Sequence, residues 1–395
     1  MRILISTGEV SGDLQGSLLV EALINEAKTL GIDLQIIALG GQRMKAAGAT
    51  LIADTSSIGA IGFWEAIPFI IPTLKIQALL NKVIKKDNPD CVVLIDYMGP
   101  NIRLGNKIKK IQPNTPIIYY IAPQEWAWSF GESGTSDLIG FSDRILAIFE
   151  EESEFYSKKG GNVKWVGHPM LDTLVKLPDR ENAMKFLGID SNRKVVLLFP
   201  ASRSQELKYL MPTLAKAAAI MQKINPLLYF IVPSGLPKFD KPLINLINEY
   251  KLDGKVINSI QVDDYKPYLY AVAELAFGKS GTVNMELALN SIPQIVGYKI
   301  SRVTAFILKK FLRFNIDYIS PVNLLMKRNL IPELIQKDFT AEAIVKLAIP
   351  LLEDSEPRLK MLEEYKNFKN SLGESGVTRR AAKEILECIS KSVKN

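Results

Sequence analysis

The stretch Gly278-Lys279-Ser280-Gly281-Thr282-Val283-Asn284-Met285-Glu286 sets small and hydroxyl residues between an apolar run, Leu275-Ala276-Phe277, and a helical pattern, Met285-Glu286-Leu287-Ala288-Leu289. A strand-to-helix turn of this kind leaves backbone N–H groups open at the positive end of a helix dipole, which makes an anion site, typically for phosphate. Glu286, one turn in, suits sugar hydroxyls rather than phosphate. An ordinary N-capped strand–helix junction uses the same residue types. Ser202-Arg203-Ser204, with Glu206, forms a second turn with a guanidinium at a helix start, suited to clamping a diphosphate. In the first half, Asp96 follows Leu94-Ile95, where a carboxylate at a buried strand end acts as a general base or caps a helix beginning near Asn101. Glu9 to Asp13 and Gln124-Glu125 occupy other strand ends.

These residues need a scaffold that gathers strand ends. Arg2–Ser6, Leu34–Leu39, Cys91–Ile95, Pro116–Ile121, Arg144–Phe149 and Val163–Val166 read as buried strands. Helical patterns such as Leu14–Leu30, Thr73–Lys86 and Asn101–Ile111 fall between them. Strands that are apolar throughout, alternating with helices, predict a parallel sheet covered on both faces, with ligands beyond its C-terminal edge. A composition break at Leu177-Pro178-Asp179-Arg180 marks a linker, after which the pattern restarts. Val195–Phe199, Leu227–Val232, Lys255–Asn258, Glu274–Phe277 and Gln294–Val296 supply the second sheet. Asp263-Asp264-Tyr265 reads nearby bases or, the favoured reading, caps a helix, and Asn323-Leu324-Leu325 with Pro332-Glu333-Leu334-Ile335-Gln336 reads as a polar-dotted loop and helix. The tail from Glu353 is helical and strongly charged.

The totals narrow the function. A chain of 395 residues, 47% hydrophobic and 23% charged, is globular and long enough for two domains. One histidine, His168, rules out a histidine-rich metal site, and no cysteine cluster replaces it. Two cysteines, Cys91 and Cys388, make no disulfide framework and point to a reducing compartment. Gly8 and Gly12 are not a dinucleotide fingerprint, since Glu9 would repel a pyrophosphate. The N-terminus lacks the pattern of a signal peptide. Ile58–Leu80 is broken by Glu65, Pro68, Pro72 and Lys75 and fails as a membrane span. Its aromatic part, with Phe63, Trp64, Phe69 and Ile70, reads as a patch that meets lipid or as a buried loop. Lys299–Arg313 carries five cations, Lys309, Lys310 and Arg313 among them, and no acid. It fits a membrane- or phosphate-facing helix or a solvated one.

Taken in order, several stretches resemble the lipid-A-disaccharide synthase family of inverting glycosyltransferases. They are Gly8-Glu9-Val10-Ser11-Gly12-Asp13, Gly40-Gly41-Gln42-Arg43-Met44, Ile95-Asp96, Trp126-Ala127-Trp128, Val166-Gly167-His168-Pro169, Ser202-Arg203 with Glu206, Ser280-Gly281-Thr282 with Glu286, Val296-Gly297-Tyr298, and Pro321-Val322-Asn323-Leu324-Leu325 with Pro332-Glu333-Leu334. The resemblance implies the GT-B fold: α/β, two Rossmann-like doubly wound parallel-sheet domains with a cleft between them. Residues 1–178 would form the acceptor- and membrane-facing domain and 179–355 the UDP-sugar-binding domain. Residues 356–395 would be helices that pack back on the first domain.

The implied reaction joins UDP-2,3-diacylglucosamine to 2,3-diacylglucosamine 1-phosphate, releasing UDP, at the cytoplasmic face of the inner membrane. It needs no metal, cofactor or nucleic acid, and it leaves a homodimer open. Asp96 would be the base, with Glu9 beside it at the catalytic centre. Ser202, Arg203, Glu206, Ser280, Gly281, Thr282, Glu286 and Asn323 would bind the nucleotide sugar. The family's Asp-Ala-Pro-Asp-Phe-Asn is here Asp96-Tyr97-Met98-Gly99-Pro100-Asn101, so the second Asp is Gly99. Its Pro-Ser-Val-Trp-Ala-Trp is Pro123-Gln124-Glu125-Trp126-Ala127-Trp128. Both departures are on the acceptor side. The rival readings are a UDP-sugar transferase with another lipid acceptor, a UDP-N-acetylglucosamine 2-epimerase, and a non-catalytic nucleotide-binding protein of the membrane surface.

Overall fold

The computed structural model describes residues 1–55, 76, 79–80, 84, 88–123, 133–200, 204–299 and 318–392. The chain forms two compact units, Met1–Thr173 with Ser371–Asn395, and Leu174–Asn370. The first boundary therefore falls five residues before the expected 178/179. The tail does not act as one piece: it divides at residue 371 rather than joining the first domain from 356.

The first unit is built on a parallel seven-stranded sheet, β1 (Arg2–Ser6), β2 (Gln35–Gly40), β3 (Thr50–Asp54), β4 (Cys91–Ile95), β5 (Ile117–Tyr120), β6 (Arg144–Ala147) and β7 (Val163–Trp165), in the order β3-β2-β1-β4-β5-β6-β7. Its helices are α1 (Glu9–Thr29), α2 (Gln42–Ala46), α3 (Met98–Ile111), α4 (Ser133–Phe141) and α5 (Glu150–Lys158). Cys91-Val92-Val93-Leu94-Ile95 is buried at every position, as a central strand covered on both faces must be. Chain order reverses between β1 and β4, where Ser6 pairs with Leu94. Strands run outward in both directions from that point, leaving a crevice at their C-terminal ends.

The second unit repeats the plan. Its six-stranded sheet contains β8 (Lys194–Leu198), β9 (Leu228–Pro233), β10 (Gly254–Ile257), β11 (Ala273–Lys279), β12 (Gln294–Tyr298) and β13 (Glu333–Ile335), in the order β10-β9-β8-β11-β12-β13. Around it lie α6 (Arg180–Leu187), α7 (Ser204–Ile224), α8 (Pro237–Glu249), α9 (Val262–Val272), α10 (Thr282–Leu289), α11 (Pro321–Met326), α12 (Ala341–Leu351) and α13 (Glu356–Ser371). The order reverses between β8 and β11, where Leu198 pairs with Phe277.

The last helix, α14 (Val377–Ser392), belongs to the first unit. Asp172 fixes its start, accepting from the N–H groups of Gly376 (2.6 Å), Val377 (3.1 Å) and Thr378 (2.7 Å) and from the Thr378 hydroxyl (2.8 Å). Three donors that a helix cannot use internally are thereby satisfied. Arg380 donates to the Val166 carbonyl, and Arg379 pairs with Glu26 of α1.

Four local expectations change. Glu9 to Asp13 is not a loop, because α1 already begins at Glu9. Gly12 permits this, since a Cβ there would lie 2.0 Å from the Thr7 hydroxyl oxygen. Asp13 is spent on α2, accepting from Gly41, Arg43 and Met44 N–H. Helix α3 begins at Met98 with Tyr97 as its N-cap, so Asp96 does not cap it. Asp263 and Asp264 lie within the first turn of α9, whose N-cap is Gln261. Glu333–Ile335, expected in a loop and helix, is the edge strand β13, paired with β12 through Val296, Gly297 and Tyr298.

Candidate active site

Both groups of chemically suggestive residues fall at the two points where strand order reverses. In the second unit, β8 and β11 lie side by side, and Phe199 N–H donates to the Phe277 carbonyl at 2.7 Å. Beyond them opens a cavity of 340 Å³, lined by Phe199, Ser280, Gly281, Thr282, Lys266 and Glu286 among others. The turn from Lys279 to Thr282 forms one wall. Gly281 N–H is not open, since it donates to the Asn284 side chain at 2.8 Å. Asn284 is itself held by Gln294, its amide donating to Gln294 Oε1 at 2.9 Å. The donors that the turn leaves without an intrahelical acceptor are thus the N–H groups of Thr282 and Val283. These first helical positions face the cavity and have no intrahelical acceptor.

Glu286 lines the same cavity, and its carboxylate is already organised. Tyr270 OH donates to Oε2 at 2.7 Å, and Lys266 pairs with the same oxygen. Burial, and secondarily the Glu286 charge, push the Tyr270 phenol well above its ordinary value, so it remains a proton donor. Lys266 and Tyr270 are one helical turn apart on α9 and share a face, with the ammonium 5.7 Å from the ring centre. Neither is among the residues expected from the sequence, although their i, i+4 spacing just after Asp263-Asp264 is the available signal.

Ser280 lines the cavity, but its hydroxyl is engaged elsewhere. Its hydroxyl donates to the Ile319 carbonyl. Asn323, expected to touch the nucleotide sugar, is fully buried. Its amide donates to the Ile331 carbonyl and to Glu333 Oε1 (2.7 Å each), and its oxygen accepts from Leu330 and Ile331 N–H (2.8 Å each). Glu333 also accepts from Ile319 and Ser320 N–H. Asn323 and Ser280 therefore hold the chain that borders the turn, and the Asn323 side chain is fully engaged in doing so.

In the first unit, Asp96 sits directly beyond β4, exposed, at the switch point beside β1. Asp96 and Tyr97 both adopt left-handed backbone angles, φ 47° and 50°. Two such residues in succession cost energy that the surroundings must offset. Asn101, buried on α3, does so. Its amide donates to the carbonyls of Ser6 (3.2 Å), Ile95 (3.0 Å) and Asp96 (2.8 Å), and its oxygen accepts from Ser6 OH (2.8 Å). Tyr119 OH donates to the Asp96 carbonyl at 2.7 Å. Gly8, between β1 and α1, lets the chain pass under Tyr97, since a Cβ there would lie 2.6 Å from the ring. Gly99 stands open, and a Cβ there meets nothing within 4 Å. Glu9 is the first residue of α1, at the same edge.

A buried carboxyl that the sequence reading missed stands next along the edge. Glu152 on α5 is fully buried and accepts from Ala122 N–H (3.0 Å), Ile148 N–H (2.9 Å) and Phe149 N–H (3.4 Å). With Tyr156 OH on the Pro123 carbonyl (2.8 Å), it fixes the chain as it leaves β5 toward Gln124. Burial outweighs the three donors and pushes its pKa up to about 8, and the Asp96 charge adds to the rise. His168, its ring tilted against Phe149 at 5.0 Å between centres, is lowered to about 4 by burial and stays neutral, accepting from Met170 N–H.

Ser202, Arg203, Gln124 to Trp128, Phe63, Trp64, Phe69, Ile70, Lys309, Lys310 and Arg313 lie outside the described residues, as do the side chains of Glu9 and Glu206. Among the described residues, no group of three His, Cys, Asp or Glu side chains gathers to hold a metal, and no helix is long and apolar enough to cross a membrane.

Two doubly wound parallel-sheet units of this kind are those of the GT-B class. The UDP-GlcNAc 2-epimerase from Neisseria meningitidis, bound to UDP-GlcNAc, superposes with a TM-score of 0.64 at 14% identity, over 98% of this chain and 100% of that one. A glycosyltransferase from Rickettsia africae gives 0.60 at 16% identity, over 100% and 99%. Sequence narrows the class. Residues 3–387 match the family model for lipid-A-disaccharide synthetase. The lipid-A-disaccharide synthase of Prochlorococcus marinus (strain MIT 9313) is 57% identical over 98% of this chain and 99% of its own length. That of Gloeothece citriformis is 43% identical over 98% and 100%. The chain belongs to the lipid-A-disaccharide synthase family. It is a glycosyltransferase of lipid A biosynthesis, and its donor is a nucleotide sugar.

Proposed function

We propose that this chain transfers the glucosaminyl unit of UDP-2,3-diacylglucosamine to the 6-hydroxyl of 2,3-diacylglucosamine 1-phosphate, at the inner face of the cytoplasmic membrane. The observation that carries the donor half is the 340 Å³ cavity at the β8/β11 switch point, where helix N–H groups and an oriented carboxylate stand one turn apart. The diphosphate lies on Thr282 and Val283 N–H, with Arg203 as its cation, and Glu286 takes ribose hydroxyls. Asp96 accepts the proton of the acceptor hydroxyl as its oxygen attacks the anomeric carbon. The bond from that carbon to the β-phosphate oxygen breaks, and UDP leaves with the electron pair while the configuration inverts. Glu9, at the same strand edge, positions the acceptor. Phe63, Trp64, Phe69 and Ile70, with the cations Lys309, Lys310 and Arg313, meet the membrane surface and the acyl chains.

The test is direct. Purified protein is incubated with UDP-2,3-diacylglucosamine and the monosaccharide 1-phosphate, and UDP release and disaccharide formation are followed together. Stoichiometric appearance of both is expected. UDP binding without disaccharide would refute the acceptor assignment and turn attention to Gly99, where the family's aspartate is missing.

A further inference from the structure

Both protein donors at Glu286 converge on one oxygen. Tyr270 OH is 2.7 Å from Oε2 and Lys266 pairs with Oε2, whereas Oε1 has no donor among the described residues. The two donors are held independently of any ligand. Tyr270 is nearly buried in the core beneath α9, and Lys266 lies over its ring. Glu286 is anchored on α10, one turn beyond the donors of the phosphate turn, and a quarter of its side chain remains exposed to the cavity. A carboxylate with one oxygen occupied twice presents a single acceptor oxygen rather than a two-pronged one.

We propose that Lys266 and Tyr270 are positioning residues which, by occupying Oε2, turn Glu286 into a one-oxygen acceptor that reads a single ribose hydroxyl of the nucleotide. This rests on the reading of the cavity as the UDP site. A pair of adjacent hydroxyls facing a free carboxylate would divide between its two oxygens. Facing Oε1 alone, the two hydroxyls must converge on one atom, and the one better aligned with it takes the stronger charge-assisted bond. The site then distinguishes the two positions of the sugar instead of recognising the diol as a unit.

The test measures affinities of UDP, 2′-deoxy-UDP and 3′-deoxy-UDP by calorimetry for the full chain and for Lys266→Met, Tyr270→Phe and the double variant. In the unaltered protein, one deoxy analogue is expected to bind about tenfold more weakly than UDP or worse, and the other within about twofold. Lys266→Met, at a half-exposed side chain, should reduce that asymmetry at least about threefold. The double variant, with Oε2 released, should bind the two analogues within about twofold of each other. Equal discrimination against both analogues in the unaltered protein overturns the inference. So does an asymmetry that survives in Lys266→Met while UDP affinity falls, which would make Lys266 a counter-ion to the diphosphate. If the unaltered protein binds no UDP, the donor-site reading itself fails and this inference fails with it.

Discussion

Glu152→Gln is the substitution whose consequences follow most directly from the structure. The carboxyl is buried, and its pKa stands at about 8 against an ordinary value of 4.5. The folded protein therefore holds this proton more tightly than the unfolded chain. Its contribution to stability is complete below pH 4.5 and is lost as pH rises toward 8. Within that window the unfolded chain binds one proton fewer, so stability falls by about 1.4 kcal/mol per pH unit, with an upper bound of ~5 kcal/mol across it. Glutamine cannot ionise and removes this slope. Its oxygen can keep the bonds from Ile148 and Phe149 N–H, but its NH2 then meets Ala122 N–H, donor against donor. That mismatch costs about 1–3 kcal/mol at every pH. The variant should be the less stable protein at pH 5 and should equal or overtake the unaltered one near pH 8. Melting temperatures followed by circular dichroism from pH 5 to 8.5 would register this at about 2–4 °C per kcal/mol. A difference between the two proteins that stays constant over that range would refute the argument, because it would mean that Glu152 is already ionised in the folded state.

Asp96→Asn should abolish turnover while leaving UDP affinity near that of the unaltered protein. Parallel loss of both, measured by product formation and calorimetry, would make Asp96 a structural residue. Asp172→Ala strips the acceptor from three N–H groups at the start of α14. It should cost about 1–2 kcal/mol and speed amide exchange across Val377–Ser392 before the β-sheet of the first unit is affected. Gly99→Asp fills open space in the first turn of α3. It should raise stability by about 1 kcal/mol in urea denaturation, from reduced chain entropy and a favourable helix dipole. A drop in stability would show that Gly99 is needed by the backbone.

The central strands were legible because burial on both faces leaves no polar position to confuse the pattern. Cys91–Ile95 and Val195–Leu198 are examples. Of the edge strands, β7 and β10 overlap the expected Val163–Val166 and Lys255–Asn258, whereas β3 and β13 were not legible. Thr50–Asp54 has no fully buried residue, and Glu333–Ile335 is three residues long with none buried, so neither carries a continuous apolar signal. The start of α1 was hidden for another reason. Gly12 and Asp13 look like loop residues, and what makes them helical is tertiary: the close approach of Thr7 to Gly12 and the demand of α2 for an acceptor. In the site, the turn at Ser280–Thr282 was visible from the change of pattern around it. The partner of each polar group was not. Asn323 in a ligand contact and Asn323 satisfying a loop with four bonds have the same sequence, and only the coordinates separate them.

The two strand-order reversals differ in backbone geometry, and the difference supports the separate roles proposed for them. At β8/β11 the turn leads into a helix whose first N–H groups lack intrahelical acceptors, and its side chains steady the frame: Asn284 accepts from Gly281 N–H, and Ser280 donates to the Ile319 carbonyl. Such a site suits a group that must be held and released as an anion. At β4 the backbone does the reverse. Two left-handed residues cost of the order of 1–3 kcal/mol each, and the bonds that offset this go to carbonyl oxygens, from Asn101 and Tyr119. The main chain at Asp96 is thus held through its carbonyl and through its N–H, which donates to the Ile121 carbonyl at 3.2 Å, so the carboxylate we propose as the base is carried on a fixed turn. Damage to the first site should be read in nucleotide affinity, and damage to the second in turnover. Asn101→Ala, which frees the Asp96 turn without touching the cavity of the second unit, is where that division is most exposed: it should lower kcat with UDP affinity intact, and a loss confined to UDP affinity would show the assignment of the two edges to be reversed.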